Sequence, residues 1–532
     1  LLSFKAVPMK NKHWLLGSFL YLLFLNVTFS QITFQKTYNG AIESKGNAVI
    51  QTSDEGYIVV GSSTQAFGLT YEDAYIIKTD KQGNVEWTTF YGGPLDEVAY
   101  SVRETDDGGF IIAANTSSYG AGYWDIYLIK VDKNGNSEWT KTIGGNNDDR
   151  CYAIEQTIDG GFIIAGTTLS FGTEYYNIYL IKTDRNGNEV WAKIFGGSGG
   201  DYAYAVQETE DGGFIICGDS QSFSAGGYTD VYLIKTDNSG NLLWSKTYGG
   251  PSNEGGKAIS QTTDGGYIIA GITQGFSAYP KSDVYLIKTD ESGNIIWTKT
   301  HGGASYDNAT SIEQTNDGGY IIAGNTNRAV DGVFNCYLIK TDEVGDVIWT
   351  NSFGFIEYSY GDYFAHQTID GGFIISGTTY NYESFNNAVY LVKTDALGNT
   401  GCNGENISTV SDTPETQEYN TLGLDSNIIS ITSSPVDIYK NGTDTSSTIC
   451  FNEIETDNSL WVYPNPCINE VIVAGTANDG EFIIYNIAGQ AVLRKETVAA
   501  QTILNTTQLI QGIYLLNYRN GDKTMSIKLI KY

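Results

Sequence analysis

The phrase DGGFIIAG, from Asp159 to Gly166, decides the fold because close variants of it occur seven times along the chain. The other six copies begin at Asp54, Asp107, Asp211, Asp264, Asp317 and Asp370. Successive copies start 52 or 53 residues apart. A period of this length predicts a tandem array in which every repeat forms the same structural unit.

Each repeat contains four predicted strands, which in the fourth repeat cover residues 203–209, 213–219, 230–236 and 242–248. Asp-Gly-Gly and Asp-x-x-Gly-Asn turns separate the strands, and glycine supplies the positive φ that tight reversals require. The two middle strands are apolar on successive residues, so both of their faces must be covered. A four-stranded sheet covered on both faces by neighbouring sheets is a propeller blade.

The two ends of the array predict a closed ring. One strand, ITFQKTYNG at residues 32–40, precedes the first repeat, and the seventh repeat lacks its matching last strand after residues 389–400. Pairing these segments removes both exposed sheet edges, whereas an open array would need polar caps. We therefore predict an all-β chain with a seven-bladed β-propeller over residues 32–402, closed by the N-terminal strand.

Tryptophan keeps a strict position, seven residues after the last Asp of the phrase YLIKTD. It occurs at Trp87, Trp139, Trp191, Trp244, Trp297 and Trp349. The phrase IKTDxxGNxxWxKTYGG resembles the tryptophan-docking repeat of quinoprotein-type propellers, which implies an indole packed between adjacent blades. Catalysis does not carry over, because this chain lacks an adjacent Cys pair and differs from the usual eight blades.

The chain outside the repeats divides into three further segments. Residues 9–30, with an apolar run after Lys10 and Lys12, predict a secretory signal peptide, and nothing later is long and apolar enough to span a membrane. Residues 403–458 are rich in Ser, Thr, Asn and Asp and read as a linker. Residues 459–532 contain alternating strands typical of a small Ig-like β-sandwich.

The C-terminal segment carries a recognisable set of motifs. These are YPNP from Tyr463, Gly489-Gln490 after an IYN strand, and LIQGIYLL from Leu509. The set resembles the type A sorting domain of the type IX secretion system of Bacteroidota. The resemblance implies the type IX machinery as a partner, export through the outer membrane, removal of the domain, and then release or surface attachment.

Composition excludes several function classes. The chain has 61 acidic and 31 basic residues and a net charge of −30, which opposes binding to nucleic acids or anionic lipid surfaces. Only His301 and His366 follow the signal peptide, so His-rich metal sites and a Ser-His-Asp triad are not expected. The sequence predicts neither a metal site nor a cofactor.

Cysteine usage suggests one disulfide. Cys402 and Cys450 stand at the two ends of the polar linker, and a bond between them would restrain it. The cysteines within the repeats occupy different strand positions and are expected to be small buried hydrophobes. They are Cys151, Cys217 and Cys336.

Candidate ligand-binding residues lie on the face that carries the loops between second and third strands and the loops between blades. Residues that recur in every blade are expected to serve the blade, whereas functional residues should break the repeat. The residues that break it are Tyr123, Trp124, Tyr175, Tyr176, Tyr279 and Arg328. Aromatic rings beside carboxylates suit sugar faces and hydroxyls, or a peptide with apolar groups.

These features favour an exported binding or adhesion protein over an enzyme, with a polysaccharide or protein as ligand. One alternative is a glycoside hydrolase or lyase that uses two rim carboxylates at the required separation. Another is a purely structural surface-layer component. The enzyme would need two non-repeating acids that converge on the central channel, whereas the binding protein needs only aromatic side chains.

Overall fold

The computed structural model describes residues 31–39, 43–64, 71–224, 227–277, 281–303, 305–327, 334–353, 363–381 and 386–400. After residue 400 it describes the strands given below and the turn at residues 506–510. Every regular element in this part of the chain is a β-strand.

Seven antiparallel sheets form the blades. In each blade the four strands of the repeat follow one another from the innermost strand to the outermost strand. Their strands are, for blade one, β2 (Glu43–Gln51), β3 (Tyr57–Thr64), β4 (Glu72–Thr79) and β5 (Val85–Gly92); for blade two, β6 (Glu97–Glu104), β7 (Phe110–Thr116), β8 (Asp125–Val131) and β9 (Ser137–Ile143); for blade three, β10 (Asp149–Gln156), β11 (Phe162–Thr168), β12 (Asn177–Thr183) and β13 (Glu189–Phe195); for blade four, β14 (Asp201–Glu208), β15 (Phe214–Ser220), β16 (Asp230–Thr236) and β17 (Leu242–Gly249); for blade five, β18 (Glu254–Gln261), β19 (Tyr267–Thr273), β20 (Asp283–Thr289) and β21 (Ile295–Gly302); for blade six, β22 (Asp307–Gln314), β23 (Tyr320–Asn327), β24 (Phe334–Thr341) and β25 (Val347–Phe353); and for blade seven, β26 (Phe364–Gln367), β27 (Phe373–Asn381), β28 (Asn386–Thr394) and β1 (Phe34–Asn39).

The first strand of the chain completes the last blade. β1 pairs antiparallel with β28, with Phe34 opposite Lys393 and Tyr38 opposite Val389. Phe34 and Tyr38 are both fully buried. The predicted seven-bladed ring, closed by the N-terminal strand, is confirmed.

A ring of seven hydrogen bonds joins the inner strands of neighbouring blades. In every blade the last residue of the inner strand is Glu or Gln, and its side-chain oxygen accepts the backbone N–H of a turn residue in the preceding blade. The closing bond runs from the Ile369 N–H to Gln51 Oε1 at 2.8 Å. The other six join Ser53 to Glu104, Asp106 to Gln156, Ile158 to Glu208, Glu210 to Gln261, Thr263 to Gln314 and Asn316 to Gln367.

The hydrophobic core lies between adjacent blades, and tryptophan takes part in it as the repeat predicts. The Trp87 ring lies 6.2 Å from Phe110 of the next blade, and its Nε1–H donates to the Lys133 carbonyl at 3.1 Å. Gly135 adopts a φ of 74°, and a Cβ there would lie 2.8 Å from the indole. The turn glycine therefore gives the indole room as well as a left-handed conformation.

The segment predicted as a linker contributes an outer strand to six blades. Six short strands between residues 410 and 451, which we call the outer belt, pair antiparallel with the outermost strands of blades five, four, three, two, one and seven in that order. They are β29 (Val410–Asp412), β30 (Gln417–Thr421), β31 (Ser426–Asn427), β32 (Ile431–Thr432), β33 (Asp437–Tyr439) and β34 (Thr445–Phe451). β34 pairs with β1, so the N-terminal strand has a partner on each side.

The C-terminal segment forms two small antiparallel sheets, as the predicted sandwich requires. Phe482, Leu504 and Leu516 are buried there. The strands are β35 (Trp461–Tyr463), β36 (Glu470–Ala474) and β39 (Gln501–Asn505) in one sheet, and β37 (Glu481–Asn486), β38 (Ala491–Glu496), β40 (Gly512–Asn520) and β41 (Lys523–Lys531) in the other. Among the residues that the structure describes, no helix is long and apolar enough to cross a membrane.

Candidate ligand-binding face

Three loops of blades two and three, together with the start of β10, bring four polar and aromatic side chains together, which we call the rim cluster. Trp124 lies in the loop before β8, and the Arg150 guanidinium stands 5.0 Å from the centre of its ring. Arg150 is also 3.2 Å from Asp148, whose carboxylate accepts the Tyr176 hydroxyl at 3.2 Å. The structure thus places Trp124 and Tyr176, two of the predicted site residues, in one polar network.

Two further predicted residues stand beside this cluster and face solvent. Tyr123 is 77% exposed and Tyr175 is 55% exposed, which are high values for tyrosine. Exposed rings of this kind are surfaces on which a ligand can stack.

The remaining predicted site residues fall outside the described part of the chain. These are Tyr279, Arg328 and Cys402, together with the side chain of Cys450. The disulfide between Cys402 and Cys450 therefore stays a prediction. Cys151, Cys217 and Cys336 are fully buried free thiols whose pKa burial raises, so their prediction as small buried hydrophobes is confirmed.

A row of tyrosines continues from the rim cluster onto the inner strands that line the channel. The Tyr176 ring is 5.3 Å from Tyr202, Tyr202 is stacked 6.5 Å from Tyr204, Tyr204 is 5.4 Å from Tyr152, and Tyr152 is 5.4 Å from Tyr100. We call these five residues the tyrosine row. Apart from Tyr176, none of them is among the site residues predicted from sequence.

Three members of the row occupy a β-bulge of the inner strand. The register shifts at Tyr100, Tyr152 and Tyr204, so each of them is skipped in the pairing ladder. Bulges re-aim a side chain and are common beside functional sites. Blades one, five and six also have this bulge, but they carry Asn47, Lys257 and Thr310 there. Comparing this single position across the repeats would have revealed the row from sequence.

An ion pair lies against one end of the inner part of the row. Lys257 Nζ is 2.8 Å from Asp219 Oδ2 and 3.4 Å from the centre of the Tyr204 ring. Asp219 also accepts the Gly256 N–H at 2.9 Å. In blade two, the neutral Asn115 accepts the corresponding N–H, which belongs to Cys151. A carboxylate is therefore not needed for the backbone bond, and the charge of Asp219 instead pairs with Lys257.

The phenols of the row are protonated at neutral pH, as tyrosine normally is, and burial moves their pKa further upward. It raises the pKa of Tyr100 to about 12, and burial together with Asp148 raises that of Tyr176 to about 12. Burial also raises the pKa of Tyr152 and Tyr204. A protonated phenol can donate one hydrogen bond and accept others, which matches the needs of a sugar hydroxyl. The Tyr176 hydroxyl already donates to Asp148, so it can only accept from a ligand.

The opposite end of the channel, where the Asp-Gly-Gly turns lie, holds a polar cavity of about 400 Å³. Its walls come from the inner strands and turns of blades three to five and include Glu155, Gln207, Glu208 and Glu210. Glu155 is engaged by Arg103 at 3.6 Å and by the Glu208 N–H at 3.2 Å. Within the described residues, no group of three or more His, Cys, Asp or Glu side chains is placed to hold a metal ion.

Comparison with known families identifies the C-terminal segment. Residues 461–532 match the family described as "Secretion system C-terminal sorting domain". The predicted type IX sorting domain is therefore confirmed, and with it the prediction that the chain is exported from the cell.

Similarities to individual proteins are distant. The regulatory protein FlaEY of Caulobacter vibrioides is 25% identical over 179 residues, which cover 29% of this chain and only 18% of that protein. The structure of PorZ, described as a bacterial surface component of the type IX secretion system of Porphyromonas gingivalis, aligns with 93% of this chain and 59% of its own at 10% identity and a TM-score of 0.35. An extracellular domain of a putative one-component system from B. thetaiotaomicron aligns with 92% of this chain and 81% of its own at 10% identity and a TM-score of 0.19. None of the three assigns an activity to this chain.

Proposed function

We propose that this chain is an exported binding protein that holds a polysaccharide on the loop-rich face of blades two and three. The observation that carries the proposal is the rim cluster, where Trp124 lies under Arg150 and Tyr176 is bonded to Asp148. The largely exposed ring of Tyr123 and the half-exposed ring of Tyr175 extend this surface.

The chemistry of the cluster favours sugar over an apolar peptide. Aromatic faces pack on the C–H faces of a sugar ring, and polar groups at their edges fix its hydroxyls. Arg150 supplies donors and Asp148 supplies acceptors within hydrogen-bond distance of each other. Because these two charges neutralise one another, the cluster offers hydrogen bonds without a strong preference for a charged ligand.

Binding can be measured by affinity electrophoresis of the full chain through gels that contain soluble polysaccharides. We expect at least one polysaccharide to retard the chain, and Trp124→Ala to raise the dissociation constant roughly fivefold, since a lost ring contact is worth about 1 kcal/mol. Tyr71→Ala is the matched control, because Tyr71 is 40% exposed in the corresponding loop of blade one. Equal losses in the two variants, or no retardation of the wild-type chain by any polysaccharide, would contradict the proposal.

A further inference from the structure

The inner part of the tyrosine row suggests a second, deeper binding surface. We infer that Tyr100, Tyr152 and Tyr204 form a channel-wall subsite for a neutral polysaccharide chain, which passes from the rim cluster into the channel along the row. This inference rests on the proposed function and adds both the location of the subsite and the class of sugar.

The continuity of the rings is the first reason. Four consecutive ring-to-ring separations lie between 5.3 and 6.5 Å, and they link the loop residue Tyr176 to the inner-strand residue Tyr100 without a gap. A linear polysaccharide can therefore contact successive rings along its length. Scattered structural tyrosines would not connect the loops to the channel in this way.

The departure from the repeat is the second reason. At the bulge position the polar side chains of blades one and six bond the neighbouring inner strand: Asn47 donates to the Ala99 carbonyl and Thr310 to the Tyr363 carbonyl. A small polar residue at this position is therefore enough for a blade to form and to bond its neighbour. The three consecutive tyrosines of blades two to four add aromatic surface that the fold does not require.

The charge distribution is the third reason and selects a neutral sugar. The two cations that touch the aromatic surface are each paired with a carboxylate, Arg150 with Asp148 and Lys257 with Asp219. The chain as a whole carries a net charge of −30, which repels polyanions such as polyuronates. The subsite thus offers ring faces and hydrogen bonds but no net positive charge.

The test uses the full chain in affinity electrophoresis with three neutral polysaccharides, a mannan, a β-glucan and a xylan, and with one anionic polysaccharide, alginate. We expect retardation by at least one neutral polymer, and Tyr152→Leu and Tyr204→Leu to weaken it at least tenfold. Leucine keeps apolar volume while removing the flat ring, and a thermal unfolding midpoint for each variant shows that the blades remain intact.

Two controls separate the subsite from a general effect of tyrosine loss. Tyr152→Phe keeps the ring and should retain most of the binding. Tyr306→Leu changes a tyrosine that also has a lysine, Lys281, 4.1 Å from its ring centre, but that belongs to no part of the row, so it should leave binding unchanged.

The outcomes distinguish the subsite from the proposed function itself. If Trp124→Ala weakens binding while Tyr152→Leu and Tyr204→Leu change it less than twofold, the channel-wall subsite is wrong and the rim site stands. Retardation by alginate alone would overturn the neutral-sugar assignment and leave the rim site standing. If no polysaccharide retards the wild-type chain, both proposals are rejected.

Discussion

At the scale of single residues, the blades contain buried acids that face one another. Asp125 opens β8 and Asp149 opens the next inner strand, and both are almost completely buried. An ideal Cβ on Gly144 would lie 1.8 Å from an oxygen of Asp125 and 2.9 Å from one of Asp149, so the two carboxyls approach closely across this glycine. Burial, and then the charge of Asp149, raise the pKa of Asp125 to about 6. Blade three has Asn177 at the same position, an isostere of the protonated acid.

This geometry makes stability depend on pH in a defined direction. The pKa of Asp125 is raised from 3.8 to about 6 in the folded state, so its carboxyl is protonated in both states only well below pH 4. The penalty is absent there, grows between about pH 4 and pH 6, and is complete above that range. We expect Asp125→Asn to increase the free energy of unfolding by about 3 kcal/mol at pH 8 and by well under ~1 kcal/mol at pH 4. Thermal unfolding midpoints at the two pH values measure this, and an equal shift at both would refute the assignment. Asp132→Asn is the control. Asp132 lies in an exposed turn where hydrogen bonds lower the pKa of its carboxyl, so this substitution should not increase the free energy of unfolding at pH 8.

At the scale of strands, the outer belt can be tested by its hydrogen bonds. In β34, Ser446 lies opposite Tyr38 and Ser447 opposite Thr37 of β1. The N–H groups of consecutive residues in a strand point to opposite edges, so one of these two faces β1 and the other faces away. Proline removes an N–H and is tolerated only where that group is not needed by the sheet.

We therefore expect Ser446→Pro and Ser447→Pro to differ sharply, with one lowering the thermal midpoint by several degrees and the other by much less. The Ser446→Ala and Ser447→Ala variants report any effect of losing the hydroxyl alone. If both prolines are neutral, β34 contributes nothing to the closure of the ring.

The strands of the blades could be predicted from sequence, whereas the belt could not, and most of the tyrosine row could not be recognised within any single repeat. The strand that begins at Phe162 belongs to a phrase that recurs in every repeat beside glycine turns. The local residue pattern and the repeat period therefore both predict a strand at this place. β31 has only two residues, Ser426 and Asn427, and no apolar alternation, because its pairing depends on an outer edge that is distant in sequence. Within its own repeat, Tyr152 has the pattern of an ordinary strand residue, because tyrosine is common in β-strands. Its role emerges only when the same position is compared between blades.

At the scale of the whole molecule, β1 closes the ring by pairing with β28 in the same register that the last strand has in the other blades. In blade four, the strand after the turn places Trp244 seven residues beyond Asp237, and Lys246 then bonds Asn294 of the next blade. Phe34 and Lys36 take the corresponding places in blade seven, and Lys36 donates to Asn84 of blade one at 2.9 Å. β1 therefore replaces the strand that would have followed Thr400.

This equivalence predicts the behaviour of a rearranged chain. A variant that begins at residue 43 lacks β1, so it should lose the cooperative unfolding transition, because β28 and the fully buried Val389 lose their outer neighbour. Inserting residues 33–39 directly after Thr400 of that variant should restore the transition, since the strand then follows its turn in the register of the other six blades. The same insertion with Phe34→Asp and Tyr38→Asp should fail, because both side chains are completely buried in the closed ring. Calorimetry of these three variants and of the intact chain tests the prediction. Closure by β1 is refuted if the chain that begins at residue 43 unfolds as cooperatively as the intact one.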